Sequence, residues 1–276
     1  MGIHTLLCVV SPIQSTSFHL MHILKFSTGN AKLGKRLIFS LPAGYTCPNA
    51  GHCKTFADRT TGTIRDLPQS AHATGEEYRC FAAMSEARSK PCRDARWHNW
   101  DAIKETLYGE GVQNPQGALE DTIAYGIWQH NKNKVKYNLC RIHESGDFWS
   151  EIYFKAWLEV ARQHPEIKFY AYTKQLSYWL NNQDDIPSNL FLTASVGGNL
   201  DPLLSRYGHV FKRIAHVVYT EQEAADLGLE IDHDDSHCFG DKPFALLVHG
   251  VQRKGSAAQA ALNARKREGT WTGYSK

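Results

Sequence analysis

Cysteine is the residue type whose placement in this chain most directly suggests chemistry. Cys47 and Cys53, with five residues between them, lie in a polar loop that contains glycine and proline, and Cys80 follows at the start of a predicted helix. Thiolates are soft ligands that suit zinc or an iron–sulfur cluster. No two cysteines are separated by two residues, the common spacing in zinc sites, so zinc is the weaker interpretation. We predict that these three cysteines bind metal; the alternative is unrelated buried thiols.

The number of ligands decides what such a metal centre could do. Three cysteines would leave one iron of a cluster open to a substrate or cofactor, whereas four would close it into a structural or electron-transfer role. Cys92 follows Pro91 shortly after the Cys80 helix and is a candidate for the fourth ligand, with His52 and His249 as alternatives. The other cysteines are predicted to be incidental thiols, one of them inside a predicted strand: Cys8, Cys140 and Cys238.

Polar side chains follow most of the predicted strands, at the point where each strand ends. Because the carboxyl ends of parallel strands meet on one rim, we expect these side chains to form one site. The alternative is that these residues form no site, because polar residues ordinarily follow strands. Three residues are predicted to be catalytic, with either histidine moving protons: His143, Asp147 and His249. Four are predicted to bind substrate, the arginine and lysine through an anionic group: Arg141, Ser145, Lys174 and Asp234.

A second metal-binding pattern lies between residues 232 and 237. His233 and His237 are separated by three residues and flanked by carboxylates, an arrangement that can hold zinc or another divalent ion. With Asp234 they would suit a hydrolytic metalloenzyme. On a solvated loop the same run is as often simply polar.

The elements that must position these residues alternate between strand and helix. Six short apolar runs predict strands near residues 35–41, 138–143, 167–172, 190–196, 215–219 and 244–249. Helical spacing predicts an inserted helical segment between the first two strands, over about residues 76–131, and further helices between the later strands. Alternating strands and helices predict parallel βαβ units. We therefore expect an α/β fold, a partial (β/α) barrel of about six parallel strands, with an open doubly wound sheet as the alternative.

Composition sets the broad class of the protein. The 276 residues carry a formal net charge of +3, with 42% hydrophobic and 21% charged residues, which is typical of a globular protein and too weakly basic to imply nucleic-acid binding alone. No apolar run is long enough for a membrane span, and the N-terminal run lacks a signal-peptide pattern. An odd number of cysteines without a secretion signal favours a reducing compartment. Residues 1–25 are predicted to be a tail that need not belong to the fold, and residues 26–276 one barrel-like domain.

Several familiar catalytic motifs are missing from the sequence. It contains no GX4GK[ST] phosphate loop, no GXGXXG after a strand, no HEXXH and no GXSXG. Nucleotide hydrolysis by a P-loop, ordinary dinucleotide binding, zincin proteolysis and α/β-hydrolase chemistry therefore lose support.

Segments spread over residues 26–260 resemble the bacteriophage family known as gene product 88. They include the loop with the first cysteine, the start of the Cys80 helix and the polar strand ends: Leu41 to Pro48, Tyr78 to Ala83, Arg96 to Asn99, Arg141 to Phe148, Phe169 to Lys174, Asp232 to His237 and His249 to Gln252. The resemblance is specific as a family assignment and implies a bacteriophage protein. It implies little about activity.

A weaker resemblance is to radical S-adenosylmethionine enzymes. Those are similar in having a partial (β/α) barrel with cluster cysteines in the loop after the first strand. Their glycine-rich motif after the second strand handles the methionyl amino group, and Ser145-Gly146-Asp147 stands in the corresponding place. The chain departs from the usual CX3CX2C triad because its third cysteine lies on a distant helix, a spacing that still allows a three-cysteine cluster.

Together these patterns predict a phage protein of the host cytoplasm that holds a [4Fe–4S] cluster on Cys47, Cys53 and Cys80. The leading hypothesis is a radical or redox enzyme, with S-adenosylmethionine as a candidate cofactor, acting on a nucleotide, nucleic acid or protein-derived substrate. One alternative is a non-enzymatic protein in which the metal staples the long loop and the surface binds a host factor or nucleic acid. The other is the metal-dependent hydrolase built on His233, Asp234 and His237.

Overall fold

A computed structural model describes residues 23–30, 33–66 and 77–270. The strands are β1 Phe26–Asn30, β2 Gly34–Phe39, β3 Thr55–Ala57, β4 Ile64–Asp66, β5 Leu139–Ile142, β6 Lys168–Thr173, β7 Leu190–Ser195, β8 Ile214–Val218 and β9 Phe244–Leu247. The α-helices are α1 Phe81–Arg88, α2 Lys90–Tyr108, α3 Pro115–Asn131, α4 Glu151–Gln163, α5 Leu176–Asn181, α6 Pro202–Arg206, α7 Glu221–Asp226 and α8 Ala257–Arg267. Short 3-10 helices cover Gln183–Asp185 and Ser236–Phe239.

The main sheet has seven strands in the order β1-β2-β5-β6-β7-β8-β9. β1 is antiparallel to β2, and the other neighbours from β2 to β9 are parallel. The six predicted parallel strands are therefore confirmed, each next to its successor in the sequence. In the described part of the chain, the sheet's two edge strands do not pair with each other, so barrel closure is not found.

The strands form where the sequence carries continuous apolar runs, because a parallel sheet covered on both faces buries every side chain. In β2 the last three residues are buried, and in β6 Phe169, Tyr170 and Ala171 are fully buried. α4 shows how one helix is fixed locally. The Ser150 hydroxyl accepts the Tyr153 N–H at its start, and its apolar face, which includes Trp157, enters the core. The predicted helix is confirmed.

The inserted helical segment is confirmed as α1, α2 and α3, which lie between β4 and β5. The long loop before it holds an additional short antiparallel hairpin, β3 and β4, where the sequence analysis predicts only loop. Residues 1–22 of the predicted tail, with Cys8, lie outside the described residues, whereas Leu24 is buried in the core. None of the helices that the structure describes has the length and apolarity needed to cross a bilayer.

Candidate functional site

A cavity of about 180 Å³ opens at the carboxyl ends of the parallel strands. This is the expected place for a ligand in a parallel α/β sheet. Nine of the ten predicted site residues line it: Cys47, Cys53, Cys80, Arg141, His143, Ser145, Asp147, Lys174 and His249. The predicted rim is thus one continuous surface, and the cysteines lie on the same cavity as the polar strand ends.

The loop with the first two cysteines is held by backbone contacts to the turn after β7. The N–H groups of Gly51 and His52 both donate to the Gly197 carbonyl, at 3.2 and 2.9 Å. Ala50 forms an isolated antiparallel bridge with Gly198. These backbone contacts hold the loop over the end of the sheet.

The segment that ends in Cys80 is held to this loop by two hydrogen bonds and to the region after β9 by two more. The Tyr78 N–H donates to the His52 carbonyl at 3.1 Å, and the Cys80 N–H donates to the Thr55 hydroxyl at 3.2 Å. From the other side, the buried Gln252 side chain accepts the Arg79 N–H at 2.7 Å and donates to the Arg79 carbonyl. Gln252 therefore ties the region after β9 to the third cysteine.

The three thiols are close enough to affect one another electrostatically. Burial raises the pKa of Cys47 well above its ordinary value, and Asp147, Cys80 and Cys53 raise it further. Burial and then Cys53 raise the pKa of Cys80 to about 12, although the N–H groups of Ala83 and Ala82 at the start of α1 lower it in part. As bare thiols, Cys47 and Cys80 therefore stay protonated at neutral pH.

The remaining described cysteines are separate from this group. Cys92 lies in the first turn of α2, and it is not among the residues that line the cavity. Cys140 and Cys238 are fully buried, which confirms the prediction that Cys140 belongs to the core. Across the described ranges, no three His, Cys, Asp or Glu side chains converge tightly enough to hold a single metal ion.

Asp147 and Lys174 connect the ends of neighbouring strands. The buried Asp147 carboxylate accepts the Thr173 hydroxyl at 2.6 Å and the Lys174 N–H at 2.9 Å. The Lys174 ammonium donates to the carbonyl and hydroxyl of Ser195, at 3.0 and 2.9 Å, and to the Val196 carbonyl. The Lys174 ammonium, which is predicted to bind an anionic group of the substrate, therefore already donates to three acceptors at the end of β7.

His143 has a buried ring and an unusual backbone. Its φ of 67° lies in the left-handed region, which is uncommon for a residue other than glycine and tends to occur at functional sites. Its Nε2 pairs with the Tyr153 hydroxyl at 2.7 Å, and its buried Nδ1 has no hydrogen-bond partner within the described chain. Burial and then Arg141 lower the pKa of His143 to about 3, so the ring is neutral at pH 7.

Asp235, which the sequence analysis missed, occupies the position on the cavity that was expected for Asp234. Its carboxylate accepts Arg141 Nη1 at 2.9 Å and the Tyr170 hydroxyl at 2.8 Å, and it is 3% exposed. Its φ of 67° turns the chain sharply, so that Asp235 faces the cavity while the Asp234 carboxylate accepts the Ser236 N–H. The left-handed conformation of Asp235, the second of two adjacent aspartates, has no clear sequence signal.

The predicted histidine pair is divided between two environments. His233 lines the cavity, whereas His237 pairs with Glu230 at 3.2 Å and lies beside the Phe244 ring. Asp232, which is buried on the cavity, accepts the backbone N–H groups of Asp234 and His237. His233, Asp234 and His237 are not among any described group that could hold one metal ion.

Comparison with known proteins decides the family. Residues 23–268 match the family model described as Gene product 88. The chain belongs to the gene product 88 family. It is similar to the Gene 88 proteins of Mycobacterium phage L5 and Mycobacterium phage D29, each 27% identical over 156 residues, which is 56% of this chain and 53% of each relative. The chain therefore spans about half the length of these relatives, and no solved structure matches it.

Membership of the gene product 88 family confirms the bacteriophage resemblance. Similarity to radical S-adenosylmethionine enzymes remains a prediction.

Substituting Gly51 with alanine is expected to destabilise the cysteine loop of this gene product 88 protein. A Cβ at Gly51 would lie 2.7 Å from the Gly197 carbonyl oxygen, a backbone atom that cannot rotate away. Overpacking of this kind costs about 1–3 kcal/mol. The free energy of unfolding, measured by denaturant titration, should fall by that amount. Gly208→Ala is the matched control, since its Cβ would approach nothing closer than 3.5 Å, and equal stability of the two variants would contradict the prediction.

The buried His143 predicts a loss of stability in mild acid. Its folded pKa of about 3 lies below the ordinary unfolded value of ~6.5, so the unfolded chain binds the extra proton. Stability from this group is present above pH ~6.5 and falls as the pH falls toward 3, by about 2 kcal/mol between pH 7 and pH 5. Urea unfolding at both pH values should show this slope. In the variant His143→Asn, whose asparagine tolerates the left-handed φ, the loss of stability between pH 7 and pH 5 should be smaller by about 2 kcal/mol. A loss equal to that of the native protein would contradict the lowered pKa of His143.

Proposed function

We propose that this protein binds a [4Fe–4S] cluster through Cys47, Cys53 and Cys80 and that the cavity beside it is the active site of a radical or redox enzyme. One observation carries the proposal. Three cysteines from two separate segments line one cavity at the carboxyl end of a parallel sheet, while Cys92 does not. Three protein ligands leave one iron for a substrate or cofactor, which favours chemistry over a purely structural role.

The chemistry of the donor set fits a cluster better than a single ion. The described residues contain no group tight enough for one metal ion, yet the three thiols influence one another across the cavity. Each cysteine of a cluster binds a different iron, so its ligands stand further apart than those of one ion. Holding three partly buried thiolates side by side is costly without a cation, and the bound irons would supply that charge.

Backbone groups beside the thiols support the same proposal. The N–H of Gly44 lowers the pKa of Cys47, and those of Ala83 and Ala82 lower the pKa of Cys80. N–H groups aimed at ligand sulfurs stabilise the thiolate form and tune the reduction potential of a cluster. A cluster of this type supplies single electrons and an open coordination position when it is bound.

The other cavity residues would orient the substrate and exclude water. Asp147 and Lys174 are positioning residues, because their hydrogen bonds fix the ends of β5, β6 and β7. His143 is a neutral hydrogen-bonding group. His249, whose ring lies 4.8 Å from the Phe81 ring, would form a wall of the site and is the candidate for moving a proton.

We extend the proposal to S-adenosylmethionine as a cofactor and to a partial barrel as the fold. Six parallel strands follow one another in sequence order, and the cysteines lie after the first of them. Ser145-Gly146-Asp147 follows the second and lines the same cavity. Because ligand thiolates persist in a reducing compartment, the proposed location is the cytoplasm of the infected host.

Metal and sulfide analysis of anaerobically purified protein tests the cluster. The expected result is a brown protein with about four iron and four sulfide per chain. A colourless protein that holds zinc, or one that stays free of iron after anaerobic reconstitution, would overturn the proposal. S-adenosylmethionine has its own test, because the iron-loaded, reduced protein should cleave it. An iron-loaded protein that leaves S-adenosylmethionine intact would contradict the cofactor proposal but not the cluster.

A further inference from the structure

The cavity's two buried cations are already paired with acceptors of the protein. The Arg141 guanidinium donates to Asp235 at 2.9 Å and lies over the Tyr172 ring at 5.2 Å. The Lys174 ammonium donates to Ser195 and to the Val196 carbonyl. An anionic substrate would have to displace these acceptors inside a buried site, which is costly because the displaced carboxylate would lose its partner. A phosphate or carboxylate beside these groups would therefore compete with acceptors that the protein already supplies.

Hydrogen-bond acceptors, in contrast, retain capacity on the same wall. A carboxylate can accept about four hydrogen bonds. Asp235 Oδ2 accepts from Arg141 and Tyr170, but the contact of Oδ1 with the Tyr172 hydroxyl is long, at 3.4 Å. Asp232 accepts one backbone N–H on each oxygen, and its Oδ1 also lies 3.5 Å from His237 Nδ1. Both aspartates are 3% exposed and line the cavity, so a ligand bearing N–H donors would satisfy them.

Two further features of the wall suit a flat ring. The Phe81 and His249 rings, 4.8 Å apart, both line the cavity, and so does Tyr172. Aromatic side chains of this kind stack on planar heterocycles. The buried Nδ1 of His143, which no described group bonds, provides an additional polar contact on the cavity lining.

We propose that the substrate presents a nucleobase, whose N–H groups bind the carboxylates of Asp235 and Asp232 and whose ring packs against Phe81 and His249. The proposal rests on the proposed function, since it names the substrate of that same site. Recognition is through the base and not through phosphate. The shared chemistry could come from a free nucleoside or from an unpaired base in a single strand.

The test is equilibrium binding to the full, anaerobically purified chain, with the four common nucleosides, inorganic phosphate and a short single-stranded oligonucleotide as probes. At least one nucleoside should bind, and inorganic phosphate should not compete with it. Tighter binding of the oligonucleotide would identify a strand as the source, and tighter binding of the nucleoside would identify the free molecule. Binding of phosphate without any nucleoside, or of none of the probes, would overturn the proposal.

Variants connect the binding to the named residues. Asp235→Asn should weaken nucleoside binding at least tenfold, whereas Asp241→Asn, an exposed carboxylate outside the cavity, should leave it unchanged. If Asp235→Asn fails to fold, Phe81→Leu gives a second measure, with an expected loss of about tenfold from reduced stacking. Equal affinity in the variants and the native protein would refute the proposal. Iron analysis of the same samples separates the nucleobase proposal from the cluster proposal. Nucleoside binding by protein that contains no iron would contradict the cluster proposal alone.

Discussion

Replacing Cys80 with alanine is expected to abolish iron binding and bleach the brown colour of the anaerobic protein. Cys80 is the one cavity cysteine supplied by the segment before α1, so its loss leaves two thiols on the loop and none opposite them. Two ligands are too few to retain a cluster that needs at least three cysteines in this site. Iron and sulfide per chain should fall to background, and Cys47→Ala should have the same effect.

Cys92→Ala is the matched control for this loss. Cys92 is another partly buried free thiol near α1, but it does not line the cavity. Its iron content should equal that of the native protein. If Cys92→Ala also loses the iron, the cluster has four protein ligands, the open position disappears, and the metal is better explained as a staple for the long loop. If Cys80→Ala keeps its iron, the assignment of the ligands is wrong.

Replacing Glu86 with alanine is expected to lower the free energy of unfolding by about 3–5 kcal/mol. Glu86 is fully buried, and its Oε1 accepts Arg96 Nη1 at 2.9 Å, the Ala43 N–H at 2.9 Å and the Ser145 hydroxyl at 3.2 Å. Removing the carboxylate would leave the buried Arg96 charge without its main partner. It would also leave the Ala43 N–H and the Ser145 hydroxyl without the oxygen that accepts their hydrogen bonds. Denaturant unfolding of the native and variant proteins measures the loss.

Two further variants show whether this loss comes from the buried charge. Glu159→Ala removes one partner of an exposed ion pair with Arg162, and such pairs contribute about 0–1 kcal/mol. The double variant Glu86→Leu with Arg96→Met removes both buried charges and should recover much of the stability. A loss below about 1 kcal/mol for Glu86→Ala would contradict the prediction, as would a double variant no more stable than the single one.

Much of the sheet could be predicted because its signals are local. The run Leu37, Ile38 and Phe39 forms the buried end of β2, and Ser150 caps α4, a position that favours serine. The carboxyl ends of parallel strands necessarily lie at one edge, so polar residues after the strands had to converge. This geometrical rule explains why the six predicted strand-end residues share the cavity.

The contacts that had no local signal could not be predicted. Glu86 and Arg96 are ten positions apart on different helices, and nothing in their spacing indicates a buried ion pair. Asp235 was missed in favour of Asp234 because one left-handed residue reverses which carboxylate faces inward. The β3–β4 hairpin has strands of only three residues, too short for an alternating pattern to be recognised.

By itself, the sequence determined the alternation of strands and helices, the family resemblance and the residue types available for chemistry, because these depend on local pattern and composition. The tertiary structure decided which cysteines share a cavity, since Cys80 is held to the loop by the hydrogen bonds of the Tyr78 N–H and of its own N–H. It also decided that Arg141 and Lys174 have acceptors within the protein. Such pairings depend on distances between segments far apart in the chain, and only folding sets those distances.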